Sequence, residues 1–388
     1  MTLPLPLPTA RPHQVGLSEA GLERLSAALE SRVAAGHIPG AVALISRRDR
    51  VAYLRAFGRR DPAATDPMSL DSIFRIYSMT KPIVSLAAML LWEEGRFLLS
   101  DPVAKFLPEF ADVRLAGGAV PARAITLQDL LRHTSGLTYE FTGAGPVHRA
   151  YVEAGISRRD QTNAEQAATL ARLPLLYEPG TQWEYSRSTD VLGRVVEVIA
   201  GDSLAAVLAA RVLRPLGMDD SGFFVPRAAL GRLAEGFPRD PESGADVGLL
   251  DVRAAPRFES GGGGMVSTAA DYARFLQMLL SGGVAEGRRL IGRKTLELMT
   301  ADHLGGMPAA ELLASGHGFG LGFAVRLAAG LAPFPGSVGS YFWGGAAGTT
   351  FWVDPAERMF AVLMIQAPGQ REHYRLLFRD LAYAAIAD

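Results

Sequence analysis

Near the start of the chain the apolar positions follow a helical period. Leu22, Leu25, Leu29 and Val33 recur at three- and four-residue intervals behind Ser18, and Gly36 and Pro39 mark the end of the repeat. That spacing predicts an amphipathic helix with a hydroxyl cap. Residues 41–46 and 51–57 are β-prone runs on either side of the charged turn Arg47-Arg48-Asp49-Arg50, which reads as a hairpin. At the other end, residues 349–353 and 359–366 flank Asp354-Pro355 as a second hairpin, and a helix is expected over 370–386. Between the two ends the pattern is mostly helical, with segments at 129–133, 164–172, 191–200 and 269–280 among Gly/Pro-rich loops. Residues 83–92, IVSLAAMLLW, are apolar on nearly every side, as in a helix buried within a large core. The simplest packing is an α+β fold. Strands from both chain ends pair in one antiparallel sheet covered by the terminal helices, with a helical region inserted. The expected division is 1–70 and 290–388 for the sheet part and 71–289 for the mostly helical part, with an active site in the cleft between them.

Composition narrows the function classes. With 388 residues, 48% apolar content and a net charge of −1, the chain can bury a large core, and it has no basic excess for a nucleic acid. Cysteine is absent, which excludes disulfides and thiolate metal sites and suits a cytoplasmic setting. The opening MTLPLPLPTARP has neither a basic n-region nor an unbroken apolar stretch, so it reads as an extended arm rather than a secretory signal. No apolar run is long enough to cross a bilayer. The seven histidines form no His-Glu-x-x-His pattern, and neither a metal nor an organic cofactor is expected.

The distinctive chemistry lies in Ser78-Met79-Thr80-Lys81. Among 39 basic residues only Lys81, Lys105 and Lys294 are lysines, so an ammonium is rare wherever it occurs. Arginine keeps its proton at accessible pH, whereas a desolvated lysine can lose one and act as a base. At positions i and i+3 of one helical turn, the Lys81 amine can reach the Ser78 hydroxyl. Pro82 fits the first turn of the following helix, which places Ser78 at a helix start, where free N–H groups favour an oxyanion. A capping serine beside an unrelated lysine would give the same four residues. Tyr185 follows the Pro179-Gly180 turn, and near a lysine its phenol can exchange a proton; a tyrosine that merely packs fits equally well. The glycines of Trp343-Gly344-Gly345-Ala346-Ala347-Gly348 permit close backbone approach to a ligand and an edge-strand N–H as an oxyanion donor. His133 reads as a structural hydrogen-bonder in a helix end capped by Gly136. The run Ser260 to Gly264 reads as a close-packed turn, with Ser267 capping the helix after it.

Together these segments resemble the serine β-lactamase and penicillin-binding-protein superfamily, in particular the class C β-lactamase-like branch and its family VIII carboxylesterases. The landmarks are Ser78-Met79-Thr80-Lys81-Pro82, His133-Thr134-Ser135-Gly136-Leu137, Pro179-Gly180 leading to Tyr185-Ser186, Gly262-Gly263-Gly264-Met265 and Trp343-Gly344-Gly345. The resemblance implies that Ser78 is acylated and that Lys81 and Tyr185 share the proton traffic. It also implies an oxyanion hole from the Ser78 and Ala346 N–H groups, and a pocket lined by Tyr139, Trp343, Gly344 and Gly345. β-Lactamases of this branch carry a lysine or histidine motif where this chain has Trp343-Gly344-Gly345, and Lys294-Thr295-Leu296 lacks the glycine and falls in a helical stretch. Tyr185-Ser186-Arg187 also departs from Tyr-x-Asn. These departures favour a carboxylesterase acting on small, short-chain esters, with acyl transfer to alcohols helped by an aromatic wall of Trp343, Tyr341, Phe342, Tyr139 and Trp183. The alternatives are a β-lactamase or D-amino-acid peptidase, and a non-catalytic ligand binder of the same fold.

Overall fold

The structure, a computed structural model, describes residues 7–388. Residues 1–6 of the expected N-terminal arm lie outside the described residues; within the arm, the Ala10 amide bonds the Val51 carbonyl at 3.0 Å. Helix α1 spans Glu19–Ala34, and the Ser18 hydroxyl accepts the Gly21 amide as the expected cap. Strands β1 (Gly40–Arg47) and β2 (Arg50–Gly58) form the first hairpin. Arg48 and Asp49 between them both take positive φ, 53° and 63°, the backbone of a two-residue turn whose twist matches its strands.

Helix α2 (Thr80–Glu93) is buried at every residue from Thr80 to Leu91, as its apolar run requires. It packs against α3 (Ser188–Ala200). Helix α4 (Ala269–Leu280) begins one residue later than the expected cap implies: Thr268, not Ser267, accepts the Asp271 amide. Ser267 pairs instead with Phe74 in a short two-stranded ladder. The expected helix at 129–133 is Leu127–Leu131, capped by Thr126. Gly136 is not its cap. The chain leaves the helix at Arg132, and His133 itself adopts the left-handed region at φ 58°.

The remaining strands of the main sheet are β3 (His317–Phe319), β4 (Ala324–Arg326), β5 (Tyr341–Gly344), β6 (Thr350–Asp354) and β7 (Met359–Ile365), followed by helix α5 (Arg371–Tyr383). All seven strands join one antiparallel sheet in the order β2-β1-β7-β6-β5-β4-β3, so the two chain ends meet at β1 and β7. Side-chain alternation divides the sheet's contacts. Ala41, Ala43, Ile45, Trp352, Ala361 and Leu363 face α1 and α5, packing with Leu25, Leu29 and Phe378. Val42, Leu44, Phe351, Val353, Phe360 and Val362 face the core that contains α2 and α4. The terminal helices thus cover only one face; the inserted region covers the other. No helix among the described residues is long and apolar enough to cross a membrane.

Candidate active site

Ser78 lies in a single 3-10 turn, Tyr77–Met79, that runs directly into α2. Tyr77 takes φ 43°, an uncommon backbone for a bulky residue, and its hydroxyl is held by the Leu250 amide at 2.8 Å. One helical turn on, the Lys81 side chain is almost wholly buried, and its Nζ lies 3.3 Å from Ser78 Oγ. The same amine reaches the Tyr139 hydroxyl at 2.9 Å and the Gly262 carbonyl at 2.5 Å. These three oxygens surround the Lys81 amine, and one of them is the Ser78 hydroxyl.

The Gly262 turn is fixed from behind. Asp190 accepts the Gly262 amide at 2.9 Å and the Ser260 hydroxyl at 2.6 Å, while Arg187 pairs with Asp190 at 3.3 Å and with Glu140 at 2.5 Å. A Cβ at Gly262 would fall 2.8 Å from both Asp190 and the Tyr139 hydroxyl, so only glycine fits between them. Gly262, Asp190 and Arg187 are functional neighbours that the sequence reading did not assign. The signals available were the Ser260 to Gly264 run, read there as a turn and as a landmark, and Arg187 in the third position of Tyr185-Ser186-Arg187, noted only as a departure; Asp190 carries no spacing that marks it.

Tyr185 is buried, with its ring centroid 4.5 Å from Lys81 Nζ. Its hydroxyl accepts the Trp343 indole N–H at 3.3 Å, which leaves the phenolic proton without a fixed acceptor. Tyr185 makes no hydrogen bond to Ser78. Around it cluster Tyr139, His133, Trp183 and Trp343, with ring centroids 5.1 to 6.3 Å away. Burial, then the neighbouring Tyr185 and Asp190, push the Tyr139 phenol well above its usual pKa, so Tyr139 meets Lys81 as a neutral hydroxyl. His133 is fully buried and its pKa falls well below the usual value, chiefly by desolvation. A neutral imidazole bonded to the Ser186 hydroxyl at 3.0 Å is the structural part expected of it.

Across the cavity, Gly345 brings the turn between β5 and β6 against the nucleophile segment. A Cβ there would lie 2.3 Å from the Ile76 carbonyl, two residues before Ser78. The close approach this glycine allows is therefore to the protein's own backbone. The Gly345 carbonyl accepts both the Gly348 amide and the guanidinium of Arg375 on α5. In a trans peptide the next N–H points the opposite way, and Ala346 lines the same cavity as Ser78. Neither the Ser78 nor the Ala346 N–H bonds another backbone carbonyl among the described residues. β4 pairs only with Tyr341 and Phe342, so β5 is a free edge at Trp343 and Gly344.

The cavity measures about 260 Å³, and Tyr77, Tyr139, Phe141, Leu250 and Phe258 give it an apolar lining. Trp343 sits behind Tyr185, and Gly344 faces Arg375. Of the expected aromatic wall, Tyr341 packs on Phe323 and Phe342 turns to the opposite face under Arg379, as strand alternation dictates. Phe141, stacked 4.7 Å from Tyr139, is the wall member that the sequence reading missed. Lys294 is exposed and paired with Glu297 at 2.6 Å in the helix Arg293–Met299, remote from this constellation. No cluster of three or more His, Asp or Glu among the described residues could hold a metal ion.

Comparison with known proteins matches residues 25–385 to the family described as Beta-lactamase. Esterase EstB of Burkholderia gladioli is 35% identical over 394 residues, covering 96% of this chain and 98% of that protein. Protein Rv1367c of Mycobacterium tuberculosis is 36% identical over 350 residues, with 86% of each covered. Among solved structures, EstCE1, "a hydrolase with promiscuous acyltransferase activity", superposes with a TM-score of 0.80 at 31% identity, covering 94% of this chain and 99% of that one. The chain therefore belongs to the β-lactamase family of serine hydrolases, in its family VIII carboxylesterase branch.

Proposed function

We propose that this hydrolase cleaves short-chain acyl esters of small molecules through an acyl-enzyme on Ser78, without a cofactor. Lys81, as a neutral amine, takes the Ser78 proton while Oγ adds to the ester carbonyl. The oxyanion rests on the Ser78 and Ala346 N–H groups, which are available because no backbone carbonyl occupies them. Tyr185 gives its proton to the departing alkoxide, and the indole N–H of Trp343 stabilises the phenolate left behind. Water then attacks the acyl carbonyl and gives a proton to the Tyr185 phenolate, and the Lys81 ammonium returns its proton to Ser78 Oγ as that bond breaks and the acid leaves. In this reading residues 1–70 with 290–388 and residues 71–289 are the two halves whose cleft holds the ester; Tyr139 lines the pocket, while Trp343, Gly344 and Gly345 back it through Tyr185, Arg375 and the Ile76 carbonyl rather than lining it.

The observation that carries the proposal is the buried Lys81 amine 3.3 Å from Ser78 Oγ at a cavity with two unoccupied backbone N–H groups. Short acyl groups are supported by the cavity volume of about 260 Å³, below the roughly 300–1,000 Å³ usual for drug-sized ligands. Acyl transfer to an alcohol is a second outcome of the same intermediate, supported by the apolar lining and by the activity named for EstCE1. A panel of p-nitrophenyl esters of graded chain length, run beside a chromogenic cephalosporin, tests the reading. The expected result is highest kcat/KM for two- to four-carbon acyl groups. Faster turnover of the cephalosporin than of every ester would replace the esterase with a β-lactamase.

A further inference from the structure

The cavity that Ser78 opens into carries two guanidinium groups, Arg187 and Arg159. Arg187 is committed to Glu140, Asp190 and the Ser157 hydroxyl, and lies 4.7 Å over the Tyr139 ring. Arg159 has no such partner: among the described residues no carboxylate pairs with it and no acceptor takes its N–H groups. The nearby carboxylates already have their own arginines. Asp160 pairs with Arg158 at 3.3 Å and Asp251 with Arg253 at 3.2 Å. A half-buried cation facing a ligand cavity with every donor unused has paid its desolvation cost without a partner that offsets it. Desolvation also lowers the Arg159 pKa, with Tyr77 and Asp251 acting weakly against it.

Resting on the Ser78 reading above, we propose that Arg159 is a specificity residue that binds a carboxylate carried by the ester substrate. A planar fork of N–H donors fits a carboxylate better than any neutral group, and Tyr77, Leu250 and Phe258 line the same cavity as an apolar bed for the rest of the ester. Lys105 and Lys294 are exposed and paired with Asp101 and Glu297, so neither serves the cavity. The preferred substrate class is thus a small ester with an anionic end, either a half-ester of a dicarboxylic acid or an ester of a short hydroxy acid.

Two substrate pairs separate these sources. Monoethyl succinate against ethyl pentanoate places the charge on the acyl side; 4-acetoxybutanoate against pentyl acetate places it on the alcohol side. The readout is the ratio of charged to neutral kcat/KM, by chromatography of the released acid. Wild type should favour the charged member of one pair, and Arg159→Leu should lower that ratio by about tenfold or more through KM, as loss of uniform binding does. Arg159→Lys should keep part of the preference, and Arg159→Glu should reverse it. A ratio that Arg159→Leu leaves unchanged, or no preference in either pair, overturns the assignment. Phosphonate labelling of Ser78 in the same preparations distinguishes the two levels. Labelled, ester-active enzyme with no carboxylate preference refutes only Arg159's role, whereas failure to label Ser78 removes the reading on which that role rests.

Discussion

At the residue scale the proposed mechanism depends on an amine that has three oxygen neighbours and would have to offer a lone pair to one of them. Lys81→Arg keeps the charge but cannot become the neutral amine that the proposed base requires. We expect kcat to fall by about a thousandfold or more with the circular dichroism spectrum and melting temperature near wild type; activity within a few-fold would mean that Lys81 supplies only charge. Arg375 would act one step removed, by anchoring the carbonyl of Gly345, whose peptide carries the Ala346 N–H proposed as an oxyanion donor. Arg375→Met should lower kcat by roughly 10- to 1,000-fold with KM little changed, because the contact it secures strengthens only as the oxyanion forms. A rise in KM at constant kcat would assign Arg375 to substrate binding instead.

At the element scale, most of what the chain pattern predicted concerned helices with caps and strands with turns, where local chemistry decides. The hairpin at Arg47 to Arg50, the helix behind Ser18 and the helix over 269–280 follow from spacing alone. Ser78 and Lys81 were legible because i and i+3 on a helix must be neighbours. What contacts Lys81 from elsewhere was not legible. Gly262 arrives from 181 residues away and Tyr139 from 58, distances over which a single sequence holds no register. Thr268 displaced Ser267 as a cap because two adjacent hydroxyls cannot be ranked without knowing which one enters the short ladder with Phe74. The start of α4 also stores a pH response. Burial raises the Asp271 pKa from 3.8 to about 6, against hydrogen bonds from Ser221 and the Asp220 amide. The folded state therefore holds this proton more tightly than the unfolded chain, so its stabilising contribution is full below about pH 4 and is lost as pH rises through about 6. Asp271→Asn, which can still accept one of those bonds, should flatten that segment of the melting-temperature profile between pH 4 and 6. An unchanged difference between variant and wild type across this window would show that Asp271 titrates normally.

At the scale of the whole molecule, the sheet joins both chain ends and holds the β5–β6 turn against the start of α2, so the second proposed oxyanion donor, Ala346, is brought from the C-terminal part of the chain to Ser78, which would supply both the nucleophile and the first donor. The same cavity decides between water and an alcohol as acyl acceptor. Phe141 is two-thirds exposed and stacked on Tyr139 at the cavity, whereas Trp343 lies behind Tyr185. Phe141→Ala should therefore lower the ratio of benzyl ester to free acid, while Trp343→Ala lowers both products together through Tyr185; the reverse pattern would place the acceptor against Trp343. The central claim, that Ser78 is the acylated nucleophile, is tested most directly by peptide mapping after reaction with a p-nitrophenyl alkylphosphonate. The account predicts one equivalent of adduct on the peptide containing Ser78, with loss of esterase activity in step and no labelling of Ser78→Ala. An adduct on any other serine, or full activity in Ser78→Ala, would contradict it.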